Sequence, residues 1–277
     1  MGDLAEKTFF VTGGNAGIGY ATVTALAGRG ARVYLTSRSK AKGEAAVAAI
    51  KAATGSEEVR LLPLDLADLS SVRACAEEFL ALGEPLHVLI NNGGVAGRHG
   101  ITADGFELQF GVNHLGHFAL TQLLLPRLQE NQEARIVSVS SEASFWAKGI
   151  NFGALRHRTR SLIGMHEYSV SKLCNVLHMQ ELARRLEGSG ARTYSLHPGR
   201  VASDIWRPVP WPARRIVTRG MLTTEQGAQT SLYCATSADV AGDTGKYYDN
   251  CRVTEPSKAA TPDLAAELWQ YSEKWTA

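Results

Sequence analysis

Strand-like and helix-like segments alternate along nearly the whole of this chain, and that order leaves it few architectures. Short runs rich in β-branched and aromatic residues occupy positions 7–12, 31–37, 58–64, 87–90, 135–140, 192–197 and 245–248. Between and after them lie stretches of helical composition, ending at 29 and covering 39–53, 70–82, 105–128, 167–187, 225–236 and 263–275. A strand followed by a helix and another strand packs as a right-handed crossover, so the strands run parallel and both faces of the sheet are covered. The run His87-Val88-Leu89-Ile90 is apolar enough to be buried on both sides. The expected fold is α/β, a doubly wound parallel sheet of about seven strands with helices on both faces. The chain has 277 residues, no internal repeat and no shift of composition that would mark a linker, so 1–277 reads as one domain.

Composition narrows the function. The net charge is +2 without a basic block, which argues against nucleic-acid binding by bulk electrostatics. Cys75, Cys174, Cys234 and Cys251 are scattered and form no C-x-x-C, so they read as free thiols rather than a metal or disulfide frame. No apolar run reaches the ~18–20 residues of a membrane span. The first strand-like run leaves no room for a signal peptide, and Glu6 stands where a myristoylation signal needs Ser or Thr. The expectation is a cytoplasmic protein with no membrane partner and no metal.

The segment Thr12-Gly13-Gly14-Asn15-Ala16-Gly17-Ile18-Gly19 joins the first strand to the first helix. Gly13 permits the tight turn, and Gly17 and Gly19 let backbone amides and a helix N-terminus approach a pyrophosphate. A ligand-free turn is the alternative, and the position between first strand and first helix decides against it. The end of the second strand selects among dinucleotides. A carboxylate there would bind the ribose 2′-hydroxyl of NAD, whereas this chain has Ser37-Arg38. Arg38 suits charge-assisted bonds to a 2′-phosphate, so NADP(H) is the expected cofactor.

Tyr168 and Lys172 in Tyr168-Ser169-Val170-Ser171-Lys172 stand one helical turn apart on a common face. A phenol titrates near pH 10, and a neighbouring cation favours the phenolate, which makes the phenol a better proton donor. By itself the pattern also fits an ordinary amphipathic helix.

Taken together, the motifs resemble those of the short-chain dehydrogenase/reductase family, and within it the retinol dehydrogenase-like, NADP-dependent branch. The matching strings run nearly end to end: TGGNAGIG at 12–19, VYLTSR at 33–38, LDLADL at 64–69, LINNGG at 89–94, GVNHLGHF at 111–118, RIVSVSS at 135–141, YSVSK at 168–172 and TYSLHPGRVASD at 193–204. The resemblance implies an oxidoreductase acting between an aldehyde or ketone and its alcohol. In it Tyr168 donates or takes the proton, Lys172 lowers the phenol's pKa and holds the nicotinamide ribose, and Ser141 orients the substrate oxygen. Asn113 supports a water chain from the lysine. Asp65 and Leu66 contact the adenine, with Asn92 near its ribose. Asn15, Ala16 and Ile18 in the glycine turn, and Gly93 and Gly94, belong to the same cofactor site. Pro198, Gly199, Val201 and Ser203 line its nicotinamide side. Ser140 rivals Ser141, and the family's serine is normally the second of such a pair. His114, His117 and His197 read as packing or loop residues.

The chain departs from the family pattern in places. Asn91-Asn92-Gly93-Gly94 stands for Asn-Asn-Ala-Gly, Ser138 replaces an Asn, and Ser141 and Tyr168 are 27 positions apart, about twice the commonest spacing. Vertebrate retinol dehydrogenases often carry an N-terminal membrane anchor, and this chain is expected to have none. Residues 198–222, with Trp206 and Trp211, are expected to form a lid that touches substrate. Phe145, Trp146 and Ile150 stand as an opposing wall for an apolar or aromatic carbonyl compound, or as residues that pack the loops onto the body. Helices 105–128 and 167–187 would carry the surface of a homo-oligomer. A non-catalytic NADP(H)-binding regulator, and epimerase or dehydratase chemistry, are the alternative functions on this scaffold.

Overall fold

The computed structural model describes residues 2–201 and 220–277. Eight strands form one sheet in the order β3-β2-β1-β4-β5-β6-β7-β8: β1 (Thr8–Val11), β2 (Arg32–Ser37), β3 (Val59–Pro63), β4 (Val88–Asn91), β5 (Arg135–Val139), β6 (Arg192–His197), β7 (Lys246–Asp249) and β8 (Arg252–Thr254). The first seven pair in parallel, as the alternation requires. The sequence expects about seven strands, and β8 is the addition: an antiparallel edge paired to β7, with three exposed residues that give no buried alternation to detect.

The helices are α1 (Gly17–Gly28), α2 (Lys40–Thr54), α3 (Leu69–Ala81), α4 (Leu108–Phe110), α5 (Gly116–Gln129), α6 (Met165–Arg185), α7 (Thr224–Thr236) and α8 (Pro262–Thr276). Their ends follow capping chemistry. Ser39 accepts from Lys42 N to start α2 and Gly55 ends it in the left-handed region; Thr223 and Gln226 form a reciprocal capping box on α7. All four residues of β1 are buried because both faces are covered. Phe10 points into the core shared with α3 and α5, while Phe9 and Val11 join α1, α2 and α7 on the other side.

Two expectations change. The stretch 105–128 is not one regular helix: α4 passes through a π turn, Gly111–Leu115, before α5. Nor does Pro126 end it. The proline forfeits one backbone donor, but buried Leu128 keeps the last turn docked and α5 runs to Gln129. The C-terminal helix α8 packs on α5 and α6. Trp269 of α8 packs edge-on to Phe118 of α5 at 4.9 Å and against His178 of α6, and Ser272 meets His114 Nε2 at 3.0 Å.

Strand order reverses between β1 and β4, so the loops that leave their carboxyl ends diverge and open a crevice. The glycine turn after β1 and Asn92–Val95 after β4 line it, and the carboxyl ends of β5 and β6 complete its rim.

Candidate active site

A cavity of about 270 Å³ occupies this crevice. Its walls bring Gly13, Asn15, Ala16, Gly17, Ile18 and Gly19 together with Asn92, Gly93, Gly94 and Val95. Val139, Ser140, Tyr168, Lys172 and Pro198 close the far end. Residues separated by more than 150 positions thus share one space.

The glycine turn is shaped by missing side chains. Gly13 has φ +64°, and a Cβ there would lie 2.8 Å from Gly93 Cα. A Cβ on Gly19 would lie 2.4 Å from the Gly13 carbonyl oxygen and 2.5 Å from Asn92 Nδ2. The N-cap of α1 is Ala16, which offers no side-chain acceptor, and the first turn has no acidic residue. Free amides at the positive end of a helix and a floor without side chains suit a pyrophosphate, so these residues fit a dinucleotide.

Around the turn, Asn92 donates from Nδ2 to Thr12 O at 2.8 Å. Gly93, where the family has Ala, has a physical account: a methyl there would sit 2.9 Å from Leu66 Cδ1, so Leu66 fills the space. Asp65 accepts from Ala67 N at 3.0 Å and lies outside the cavity wall with Leu66. Ser37 is buried and its hydroxyl donates to Ser39 O at 2.9 Å, which turns it into a brace of the β2–α2 loop rather than a free ligand group. Arg38 beside it is exposed, and among the described residues its guanidinium has no ion-pair partner. Gly199 has φ +84° and packs under Leu222, and Val201 bridges to Leu222. Ser203, Trp206 and Trp211, with most of the expected lid, lie outside the described residues.

The Tyr168–Lys172 pair sits near the start of α6. Tyr168 is 9% and Lys172 4% exposed. Lys172 Nζ lies 5.8 Å from the centre of the Tyr168 ring and donates to Val139 O at 2.8 Å. Asn175, one turn further, donates to the same carbonyl at 3.1 Å; its spacing on the Lys172 face was the signal that the sequence reading passed over. The two serines separate cleanly. Ser140 Oγ donates to Lys172 O at 2.7 Å, whereas Ser141 opens the 3₁₀ turn Glu142–Trp146, accepts from Ala143 N at 3.2 Å and favours the charged form of the Tyr168 phenol. His197 Nδ1 accepts from Glu142 N at 3.2 Å, and Arg200 Nε donates to Glu142 Oε1 at 2.9 Å, so both brace the residue after Ser141. Asn113, fully buried in the π turn, grips Val95 through both its N–H and its C=O and donates to Ser171 Oγ at 2.9 Å. It clamps the loop after β4 onto α6.

Burial dominates both members of the pair. Burial pushes the Tyr168 pKa up, with the Ser141 bond opposing it, and burial lowers Lys172 to about 7. Lys172 aims its Nζ at the Val139 carbonyl rather than at the phenol. The expected apolar wall also divides. Ile150 packs against the core beneath α6 and α8, while Phe145 and Trp146 are exposed at 45% and 59%, Phe145 resting on Tyr247.

Residues 7–211 match the model of the short chain dehydrogenase family. The chain belongs to that family. Mouse retinol dehydrogenase 12 is 45% identical over 276 residues, covering 97% of this chain and 86% of the relative. Human retinol dehydrogenase 11 is 45% identical over 273 residues, covering 97% and 85%. Among solved structures, an uncharacterised protein from Mycobacterium paratuberculosis superposes with a TM-score of 0.79 at 36% identity, covering 100% of this chain and 98% of that one. A 3-ketoacyl-(acyl-carrier-protein) reductase from Brucella melitensis, solved with NADH, shares the fold at TM-score 0.67 and 21% identity, covering 88% and 96%. The protein is thus a retinol dehydrogenase-like oxidoreductase of alcohols or carbonyls.

Proposed function

We propose that the chain, acting as a single catalytic unit, reduces an apolar or aromatic aldehyde or ketone with NADPH, or oxidises the corresponding alcohol with NADP⁺. One observation carries this reading: Tyr168 and Lys172 close the far end of the same cavity whose floor is the glycine turn. The nicotinamide, when bound, supplies or accepts the hydride at carbon. The chain's residues handle the oxygen. Ser141 and Tyr168 present two hydroxyls to a carbonyl oxygen. The raised phenol pKa keeps the Tyr168 proton in place at neutral pH, ready for transfer as negative charge grows on that oxygen. Once the proton has left, the lysine is the nearest group able to carry compensating positive charge. The NADP(H) preference rests on Arg38, exposed at the carboxyl end of β2 with no carboxylate in the place that NAD would use. The apolar substrate class rests on exposed Phe145 and Trp146 beyond Ser141 and on relatives named for retinol. No helix among the described residues is long and apolar enough to cross a membrane. We place the protein in the cytoplasm.

The test is a panel of aldehydes, ketones and alcohols, each with NADPH or NADP⁺ and with NADH or NAD⁺, read at the nicotinamide absorbance. Turnover confined to polar substrates would overturn the substrate class. In the same assay Arg38→Ala should weaken NADPH by at least about tenfold, the worth of one charge-assisted bond, and leave NADH unmoved. Equal loss for both cofactors would make Arg38 structural.

A further inference from the structure

His117 takes no part in the chemistry above, yet it joins the two halves of the site. It is 2% exposed in the first turn of α5. Its Nε2 lies 2.8 Å from Thr12 Oγ1 and its Nδ1 3.0 Å from the Asn113 carbonyl oxygen. Counting hydrogen bonds settles which nitrogen carries the proton. A hydroxyl has one proton and two acceptor sites. Thr12 Oγ1 already accepts from Asn92 N and Gly93 N, both at 2.9 Å. Its own proton must therefore go outward, and Nε2 at 2.8 Å is far better placed than Ile90 O at 3.4 Å. Nε2 is then the acceptor, and Nδ1 bears the proton and donates to Asn113. A second proton on Nε2 would meet an oxygen with no lone pair to spare. Burial agrees, holding His117 down to about 4.

The bonds run on in both directions. Asn113 donates to Ser171 Oγ, which donates to Tyr168 O at 2.7 Å. Thr12 follows β1 at the head of the glycine turn and supports Asn92 and Gly93. We infer that His117 is a positioning residue, a neutral two-ended link between the cofactor-binding turn and the Asn113 clamp on the catalytic helix. The inference rests on the functional reading given above.

Two isosteres separate the ends. Asparagine keeps a donor where Nδ1 is, and glutamine keeps an acceptor where Nε2 is. Losing one buried hydrogen bond is worth about tenfold. His117→Asn should therefore weaken NADPH, read by quenching of protein fluorescence, by about tenfold while kcat stays within about threefold. His117→Gln should do the reverse, with kcat down about tenfold and NADPH affinity kept. Thr12→Val, with His117 intact, removes the same bond together with the acceptor of Asn92 N and Gly93 N, so it should weaken NADPH by more than the asparagine variant while kcat stays within about threefold, and it carries the test if neither histidine variant folds. Parallel losses in affinity and kcat, or no change in either, would overturn the inference. A failure of the functional reading looks different: Tyr168→Phe would then keep full turnover.

Discussion

The glycine turn after β1 and the first turns of α6 face each other across one cavity, and they are built on opposite plans. The turn works through backbone. Its key positions are glycines that no Cβ could replace without meeting Gly13 O, Gly93 Cα or Asn92 Nδ2, and it contains no ionisable side chain. The helix works through side chains withdrawn from water: Tyr168, Ser171, Lys172 and Asn175 are all buried, each tied to a partner from another element or turn. The turn's requirements coincide with those of a tight strand-to-helix connection, so fold and function ask for the same residues. The helix holds a lysine that burial drives toward neutrality, so function there works against the fold.

The largest expected effect breaks the helix side alone. Tyr168→Phe keeps the ring and removes the proton, and kcat should fall by about 10²–10⁴-fold, the usual share of general acid–base catalysis. NADPH affinity, measured by fluorescence titration, should hold, because the amides that fit the phosphates lie on the other plan. Near wild-type turnover would show that the phenol is only packing.

The second change breaks the turn side. Gly19→Val would press a branched side chain into the Gly13 carbonyl, backbone that cannot swing aside. Overpacking of that kind costs about 1–3 kcal/mol, and the helix N-terminus it displaces should cost at least about tenfold in NADPH affinity. Melting temperature and affinity should fall together. Should binding survive at full strength, the glycines are not the cradle.

The same contrast explains what was legible in the sequence. The glycine turn and the seven parallel strands could be read because local geometry or a short motif demands them, and the structure brings Tyr168 and Lys172 to the wall of the same cavity. Ser37, beside Arg38 at the end of β2, has its hydroxyl bonded to Ser39 two residues on. The π turn at Gly111–Leu115 leaves no composition signal, since its residues are helical in every local respect. The cover that α8 lays over α5 and α6, the grip of Asn113 on Val95, and the bracing of Glu142 by His197 and Arg200 are pairings across long stretches of chain. Periodicity does not encode them. Histidines read as packing were buried as expected, but burial obliges their nitrogens to find partners, and those partners are set by the fold.

The smallest effect sharpens the comparison most, because its sign runs against intuition. Lys172 titrates near 7 in the folded protein and at 10.5 in the reference state. Between those values the unfolded chain binds more protons than the folded one, so the lysine's contribution makes stability rise with pH across the window. At and below pH 7 the folded state bears nearly the whole cost of burying the ammonium, and above 10.5 it bears none. Lys172→Met removes the charge and keeps a straight apolar stem, while Asn175 still serves the Val139 carbonyl. The variant should lose turnover, yet at pH 7 it should melt about 5 °C higher than wild type, a shift of the size that one or two kcal/mol gives a chain this long. The gap should narrow as pH is raised from 7 and close above 10.5, where the wild-type lysine is neutral in both states. A Gly19 variant should show no such pH dependence, since nothing at that position titrates. A Lys172→Met protein that melts lower than wild type at pH 7 would mean that the ammonium stabilises the fold, and that the helix is built on the same plan as the turn.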